Sequence, residues 1–294
     1  MSDLATARHG ENFPVGSLLI RGDLRAAVLA FYAVARRADD LADDPDRPVA
    51  DKLAGLDRME AGLLGRPGGA PEGLALRDAL SQVGRTGGLG DARRLLGAFR
   101  MDAEGRTRWD AGGGGIATWG DLLGYCDLSA DPVGRFLLDL HGEGPEGVEA
   151  SDALCTALQI LNHLQDLRGD HLTLGRRYLP GHWMAEEGAE DGDLARPALM
   201  PALARVVRRA LDGCDALLAE AEPLPRLLAS RRLAGEAATI LRLARALAAR
   251  LRREDPLAAR VAPSRGDFAR AGLAGLWTAL SPRRAFPPLG ERQA

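Results

Sequence analysis

Apolar residues recur at helical spacing along most of the chain. The pattern predicts helices at roughly 23–44, 50–64, 73–86, 91–104, 117–140, 150–170, 196–221, 227–253 and 267–280. Glycine and proline clusters at Gly65 to Gly73, Gly84 to Gly90, Gly112 to Gly115 and Gly142 to Gly147 punctuate it at loop lengths. No internal repeat, heptad or long low-complexity linker divides the segments. The expectation is one all-α domain spanning residues 1–294, with its core at about 8–282.

Two of these segments carry matching polar stripes. On the first helix Tyr32, Arg36, Asp39 and Asp43 fall at i, i+4, i+7 and i+11, inside an arc of about 60°. Leu24, Val28, Phe31, Ala35, Ala38 and Ala42 form the opposite, core-facing side. On the helix near 150–170, Gln159, Asn162, Asp166 and Asp170 fall at i, i+3, i+7 and i+11. Around them Leu154, Leu158, Ile160, Leu161, Leu164 and Leu167 point in several directions, which predicts a central, buried helix. Buried carboxylates at Asp166 and Asp170 are costly unless cations meet them.

Composition narrows the chemistry. With only 10 Val, 4 Ile and 8 Thr in 294 residues, the chain lacks the β-branched side chains that fill sheets. A formal net charge of −3 removes the basic surplus of a nucleic-acid binder. Lys52 is the single lysine and sits in no Schiff-base or phosphate-loop setting. Cys126, Cys155 and Cys214 form no CxxC pair, as expected of reduced thiols in a cytoplasmic protein. Met1-Ser2-Asp3 does not open the basic-then-apolar layout of a signal peptide, and the longest apolar run, Ala26 to Ala35, is half a membrane span.

An isolated acidic cluster near a helix end is usually solvated surface. Two matched stripes change that expectation, because Asp39, Asp43, Asn162, Asp166 and Asp170 facing one another present only oxygen donors. Hard cations such as Mg²⁺ take such donors and share their remaining coordination with substrate phosphates. The expected chemistry is metal-dependent handling of a diphosphate.

The residues that carry these stripes resemble the head-to-head isoprenoid synthases, the squalene/phytoene synthase family. The resemblance runs through His9-Gly-Glu-Asn-Phe-Pro14, Phe31 to Asp44, Tyr125 to Arg135, Gln159 to Asp170 and Gly175-Arg-Arg-Tyr-Leu-Pro180. The first and last of these point to the bacterial branch that makes hydroxysqualene on a three-enzyme route to squalene and hopanoids. The resemblance implies an isoprenoid-synthase bundle with a central cavity and Mg²⁺ on two opposed walls. The implied reaction takes presqualene diphosphate and water to hydroxysqualene and diphosphate without NADPH. A separate presqualene diphosphate synthase and a reductase would act as functional partners.

By the same resemblance Asp39, Asp43, Asp166 and Asp170 are catalytic and, with Asn162, metal-binding. His9, Asn12, Tyr32, Arg36, Tyr125, Gln159 and Arg176 are substrate-binding, with Arg36 and Arg176 suited by their planar fork to diphosphate oxygens. Arg36 and Arg176 could instead pair within the acidic cluster, and Tyr125 could be a core tyrosine. Asp40 and Asp44 are second choices as ligands. His163 is expected to face a neighbouring helix rather than metal, and Trp183 and Trp277 to pack. Phe268 to Leu280, flanked by Arg265, Arg270, Arg283 and Arg284, could cap the bundle or touch the inner face of a membrane. The chain departs from the family at Gln165, where Arg is common, in the absence of a C-terminal tyrosine, and in the Gly112–Gly115 insertion. Two other readings remain open: condensation of two farnesyl diphosphates to presqualene diphosphate or squalene, and a non-catalytic lipid-binding or assembly-factor relative.

Overall fold

The computed structural model describes residues 22–107 and 115–281. Among the described residues there are thirteen α-helices and no β-strand. Four helices come first: α1 (Arg25–Asp43), α2 (Val49–Leu63), α3 (Pro71–Gln82) and α4 (Gly88–Ala103). They enclose a core of Val28, Phe31, Leu56, Met59, Leu76, Leu80 and Leu96. The predicted apolar face of α1 is the buried one, with Ala35 at its edge. Lys52 is buried, and its Nζ donates to the Ala42 carbonyl at 2.8 Å, which fastens the acidic end of α1 onto α2.

The predicted helix over 117–140 is two helices, α5 (Trp119–Ser129) and α6 (Asp131–His141). Pro132 has no N–H to continue the ladder, and Ala130 leaves helical geometry at φ −124°. Thr118 starts α5 with a reciprocal cap: its hydroxyl accepts from the Asp121 N–H, and its own N–H donates to the Asp121 carboxylate. Phe136 of α6 stacks on Phe31 at 4.0 Å between ring centres, joining this pair to the first core.

The predicted helix over 150–170 also divides, into α7 (Val148–Gln165) and α8 (Leu167–Leu174). Asp166 stands at the break with φ −101° and ψ 9°. Aspartate is a weak helix former because its carboxylate competes with the backbone. The ladder nevertheless spans the break, from Asp166 N–H to Asn162 O and from Asp170 N–H to Asp166 O. As expected, α7 is buried on most sides, by Leu154, Ile160, Leu161 and Leu164.

A short helix that the periodicity did not predict, α9 (Gly181–Glu187), precedes α10 (Pro201–Glu220). The segment expected over 227–253 is α11 (Leu224–Leu227) followed by α12 (Arg231–Leu251), and α13 (Arg265–Leu280) lies against α12. Leu161, Val206, Leu211, Leu241 and Leu247 belong to this second core. Trp183 packs as expected, stacked on Trp119 with the Arg209 guanidinium 4.4 Å from its ring centre. Trp277 does not pack. It is exposed, because α13 meets α12 through small residues instead, with Ala271 and Gly275 buried.

Candidate active site

The site lies where the two cores meet. On α1, Tyr32, Asp39 and Asp43 are half-buried along one stripe, while Arg36 stands exposed at the rim. Arg36 pairs with Asp39 at 3.3 Å and with Asp40 at 3.1 Å, the ion-pair alternative for this residue. On α7 and α8, Gln159, Asn162, Asp166 and Asp170 are likewise half-buried; Asn162 and Asp166 sit between buried neighbours, and Asp170 lies nearer the open end of the stripe, beside the exposed Gly169. The i, i+3, i+7, i+11 stripe survives the break at Asp166 because the hydrogen-bond ladder does.

Arg176 joins the two stripes. Gly175 ends α8 in the left-handed region at φ +64°, where glycine carries no side-chain penalty, and the chain reverses there. Arg176 follows, buried, with its N–H on the Asp170 carbonyl. Its guanidinium donates to Asp43 Oδ1 at 2.6 Å and lies 3.7 Å from Asp102 Oδ2. One edge of the fork is thus committed, and Arg176 Nε has no hydrogen-bond partner among the described residues.

Asp102 was not singled out in the sequence. It occupies a core-face position of α4, seven residues after Leu95, and is buried. It accepts from the Thr107 hydroxyl at 2.8 Å and from the Tyr125 hydroxyl at 3.0 Å. Tyr125 is therefore in the wall behind Arg176, its hydroxyl held by Asp102, as a core tyrosine would be. An acid at an apolar-face position was the available signal.

Burial dominates the electrostatics. It pushes the Asp39 carboxyl up to about 6, helped by the neighbouring charge of Asp43 and opposed by Arg36 and Arg176. Asp170 is pushed up to about 7 by burial and then by Asp166, against the pull of Arg176. Burial also raises Asp166, which Arg260 opposes, and raises Asp102, which Arg176 opposes. Arg260, a second residue not singled out in the sequence, follows α12 and brings positive charge to the second stripe. Next to it, the buried Gln165 side-chain amide donates to the Val261 carbonyl, so Gln165 ties this segment to the end of α7.

His163 does face a neighbour, stacking on Tyr178 at 3.5 Å between ring centres. Burial, with Arg176 adding to it, lowers its pKa to about 3, so it is neutral. His9 and Asn12 lie outside the described residues, as do Gly112 to Gly114 of the insertion.

The donor set fits a hard dication. All the stripe donors are oxygens, and the carboxylates are crowded and part-desolvated, a state that divalent charge relieves. Among the described residues no three acidic, histidine or cysteine side chains converge closely enough to hold an ion alone. The carboxylates are split between two walls, which suits ions that complete their coordination with phosphate oxygens.

The squalene/phytoene synthase profile matches residues 6–267. The chain belongs to this family. It is 39% identical to the hydroxysqualene synthase of Rhodopseudomonas palustris, over 94% of this chain and 91% of that one. Against the hydroxysqualene synthase of Zymomonas mobilis it is 38% identical, over 85% and 82%. Among solved structures, the squalene synthase HpnC of Alicyclobacillus acidocaldarius superposes with a TM-score of 0.70 at 32% identity, covering 85% of this chain and 90% of that one. Family membership bears out the all-α expectation. Divalent-metal dependence is general among these head-to-head synthases.

Proposed function

We propose that this protein converts presqualene diphosphate and water into hydroxysqualene and diphosphate, with Mg²⁺ between its two acidic stripes. The observation that carries this reading is the meeting of both stripes at Arg176, in a chain whose relatives at 37–39% identity are hydroxysqualene synthases.

In this reading Asp39 and Asp43 hold metal on one side, and Asn162, Asp166 and Asp170 on the other. Bound there, Mg²⁺ stabilises the negative charge that builds on the departing diphosphate. Arg176 adds fixed positive charge at the junction, with Arg36 at the rim and Arg260 beside Asp166. Tyr32 and Gln159 line the path of the isoprenoid, and His9 and Asn12 are assigned to substrate binding by the family motif they belong to. The substrate C–O bond breaks with its electron pair leaving on diphosphate. The rearranged carbocation then takes a water oxygen, whose proton leaves to diphosphate or solvent. Adding water changes no oxidation state overall, so no NADPH enters.

The substrate comes from an enzyme that condenses two farnesyl diphosphates, and the product passes to a reductase. The enzyme works in the cytoplasm on molecules that live in membranes, which it meets peripherally. Among the described residues no helix is long and apolar enough to cross a bilayer.

A product assay with purified protein and Mg²⁺ but no NADPH tests the reading, offering presqualene diphosphate and farnesyl diphosphate separately. Hydroxysqualene from presqualene diphosphate alone is the expected result. Product from farnesyl diphosphate would assign the condensation instead, and a folded protein silent on both would overturn the enzyme.

A further inference from the structure

The last described helix turns its large apolar side chains the wrong way for a bundle cap. Leu273, Leu276, Trp277 and Leu280 of α13 are 69%, 53%, 76% and 68% exposed. The side toward α12 is built instead from small residues. Gly275 packs so tightly against α12 that a Cβ there would collide with Thr239 and the Gly235 carbonyl.

This orientation is held from several directions. Ser264 and Asp267 cap the helix reciprocally at its start. Asp267 also accepts from Arg250 of α12 at 2.9 Å, and Arg231 donates to the Leu280 carbonyl at 2.7 Å at the far end. Rotating the leucines inward would break all of these contacts and drive bulk into the glycine crossing.

At about 100° per residue, the four exposed apolar side chains span an arc of about 100°. Arg265 borders that arc on one side and Arg270 on the other, each about 20° beyond its edge. Both arginines are exposed, although Arg270 also bonds Asp267. Arg283 and Arg284 follow in the sequence. An apolar strip edged by cations on a helix parallel to the surface is the arrangement that seats a helix at a lipid–water boundary. A protein partner would bury the leucines without needing cations along both edges of the strip. The flanking arginines favour an anionic surface, and the choice of lipid rests also on the isoprenoid substrate of the catalytic reading.

We infer that the Leu273–Leu276–Trp277–Leu280 face of α13 docks the protein on anionic lipid bilayers. Apolar insertion supplies most of the affinity, and Arg265 and Arg270 supply the preference for negative headgroups.

Co-sedimentation of the full chain with phosphatidylcholine vesicles, with and without 30% phosphatidylglycerol, tests this with no substrate present, so failure of the catalytic reading leaves the result legible. The protein should pellet with the mixed vesicles and more weakly with phosphatidylcholine alone. The double variant Leu273→Ser/Trp277→Ser should bind at least about 10-fold more weakly at unchanged melting temperature, since two large apolar side chains no longer leave water. Arg265→Gln should narrow the difference between the two vesicle types. Wild-type protein that stays in solution overturns the inference, as does a double variant that binds as well as wild type. Light scattering that shows a wild-type dimer made monomeric by the double variant, without vesicle binding, would assign the face to a second copy.

Discussion

Arg176 donates to Asp43 at 2.6 Å across 133 positions of the chain, and this one bond ties the end of α8 to the acidic end of α1. The same guanidinium lies 3.7 Å from Asp102, so a buried cation stands between two acids. Removing one member of a buried ion pair costs more than the pair is worth, because the other charge is stranded. Arg176→Met should therefore cost about 3 kcal/mol of folding stability, read by urea denaturation. Arg176→Lys should recover part of the stability and little of the turnover, because an ammonium cannot bridge both acids as a planar fork does. Equal stability in Arg176→Met and wild type would show that the bond holds nothing together.

Asp39 and Asp166 should behave in the opposite way. Burial already raises both carboxyls, so neutralising either removes a desolvated charge, and the Arg36 pair that Asp39 gives up is an exposed one that contributes little. Asp39→Asn and Asp166→Asn should leave the melting temperature unchanged or slightly higher without metal. Turnover should fall by about 100-fold or more, because charge stabilisation of the leaving group is lost. Mg²⁺ should raise the melting temperature of wild type and do so less in either variant. Full activity in either, at saturating substrate and Mg²⁺, would remove the two-wall arrangement.

Much of this site was legible because its residues obey a period. Tyr32, Asp39 and Asp43 on α1, and Gln159 to Asp170 on α7 and α8, share a face for reasons of helical geometry alone. What periodicity could not give was the third dimension. Asp102 comes from the core face of α4 and Arg260 from the segment between α12 and α13, neither of them part of a polar stripe, and Arg176 enters through a reversal at Gly175. The breaks at Ala130 and Asp166 fell inside patterns that stay amphipathic across them, so a continuous helix was the natural reading. Trp277 reads as a packing residue in the sequence; that α12 and α13 meet through Gly235 and Gly275 instead shows only in three dimensions.

Gln165 offers a test of how the second stripe gets its positive charge. Its side-chain amide holds the Val261 carbonyl, one residue from Arg260, whose charge opposes the burial of Asp166. Gln165→Ala strands a buried carbonyl and releases that segment, at a cost of about 1–3 kcal/mol. Arg260→Ala should raise KM for the diphosphate substrate with a smaller effect on stability, since Arg260 is exposed. Gln165→Ala should show the same KM rise together with the stability loss. A Gln165→Ala enzyme with wild-type KM would separate the two residues.

His163 makes a pH prediction with a definite sign. It is buried against Tyr178, and burial together with Arg176 holds its pKa at about 3, below the ordinary 6.5. The unfolded chain therefore takes up a proton that the folded protein refuses. The contribution of neutral His163 is complete above pH 6.5 and is lost progressively as pH falls toward 3, at about 1.4 kcal/mol per unit. Asp39, Asp131 and Asp170, whose folded pKa values are raised, act the other way over part of the same range, so the wild-type profile alone mixes the two. His163→Phe keeps a ring to stack on Tyr178 and removes the titration. Urea denaturation at pH 7.5 and pH 5 should show wild type losing about 2 kcal/mol more than His163→Phe over that interval. Parallel losses in the two proteins would mean that His163 takes up a proton in the folded state as readily as in the unfolded chain.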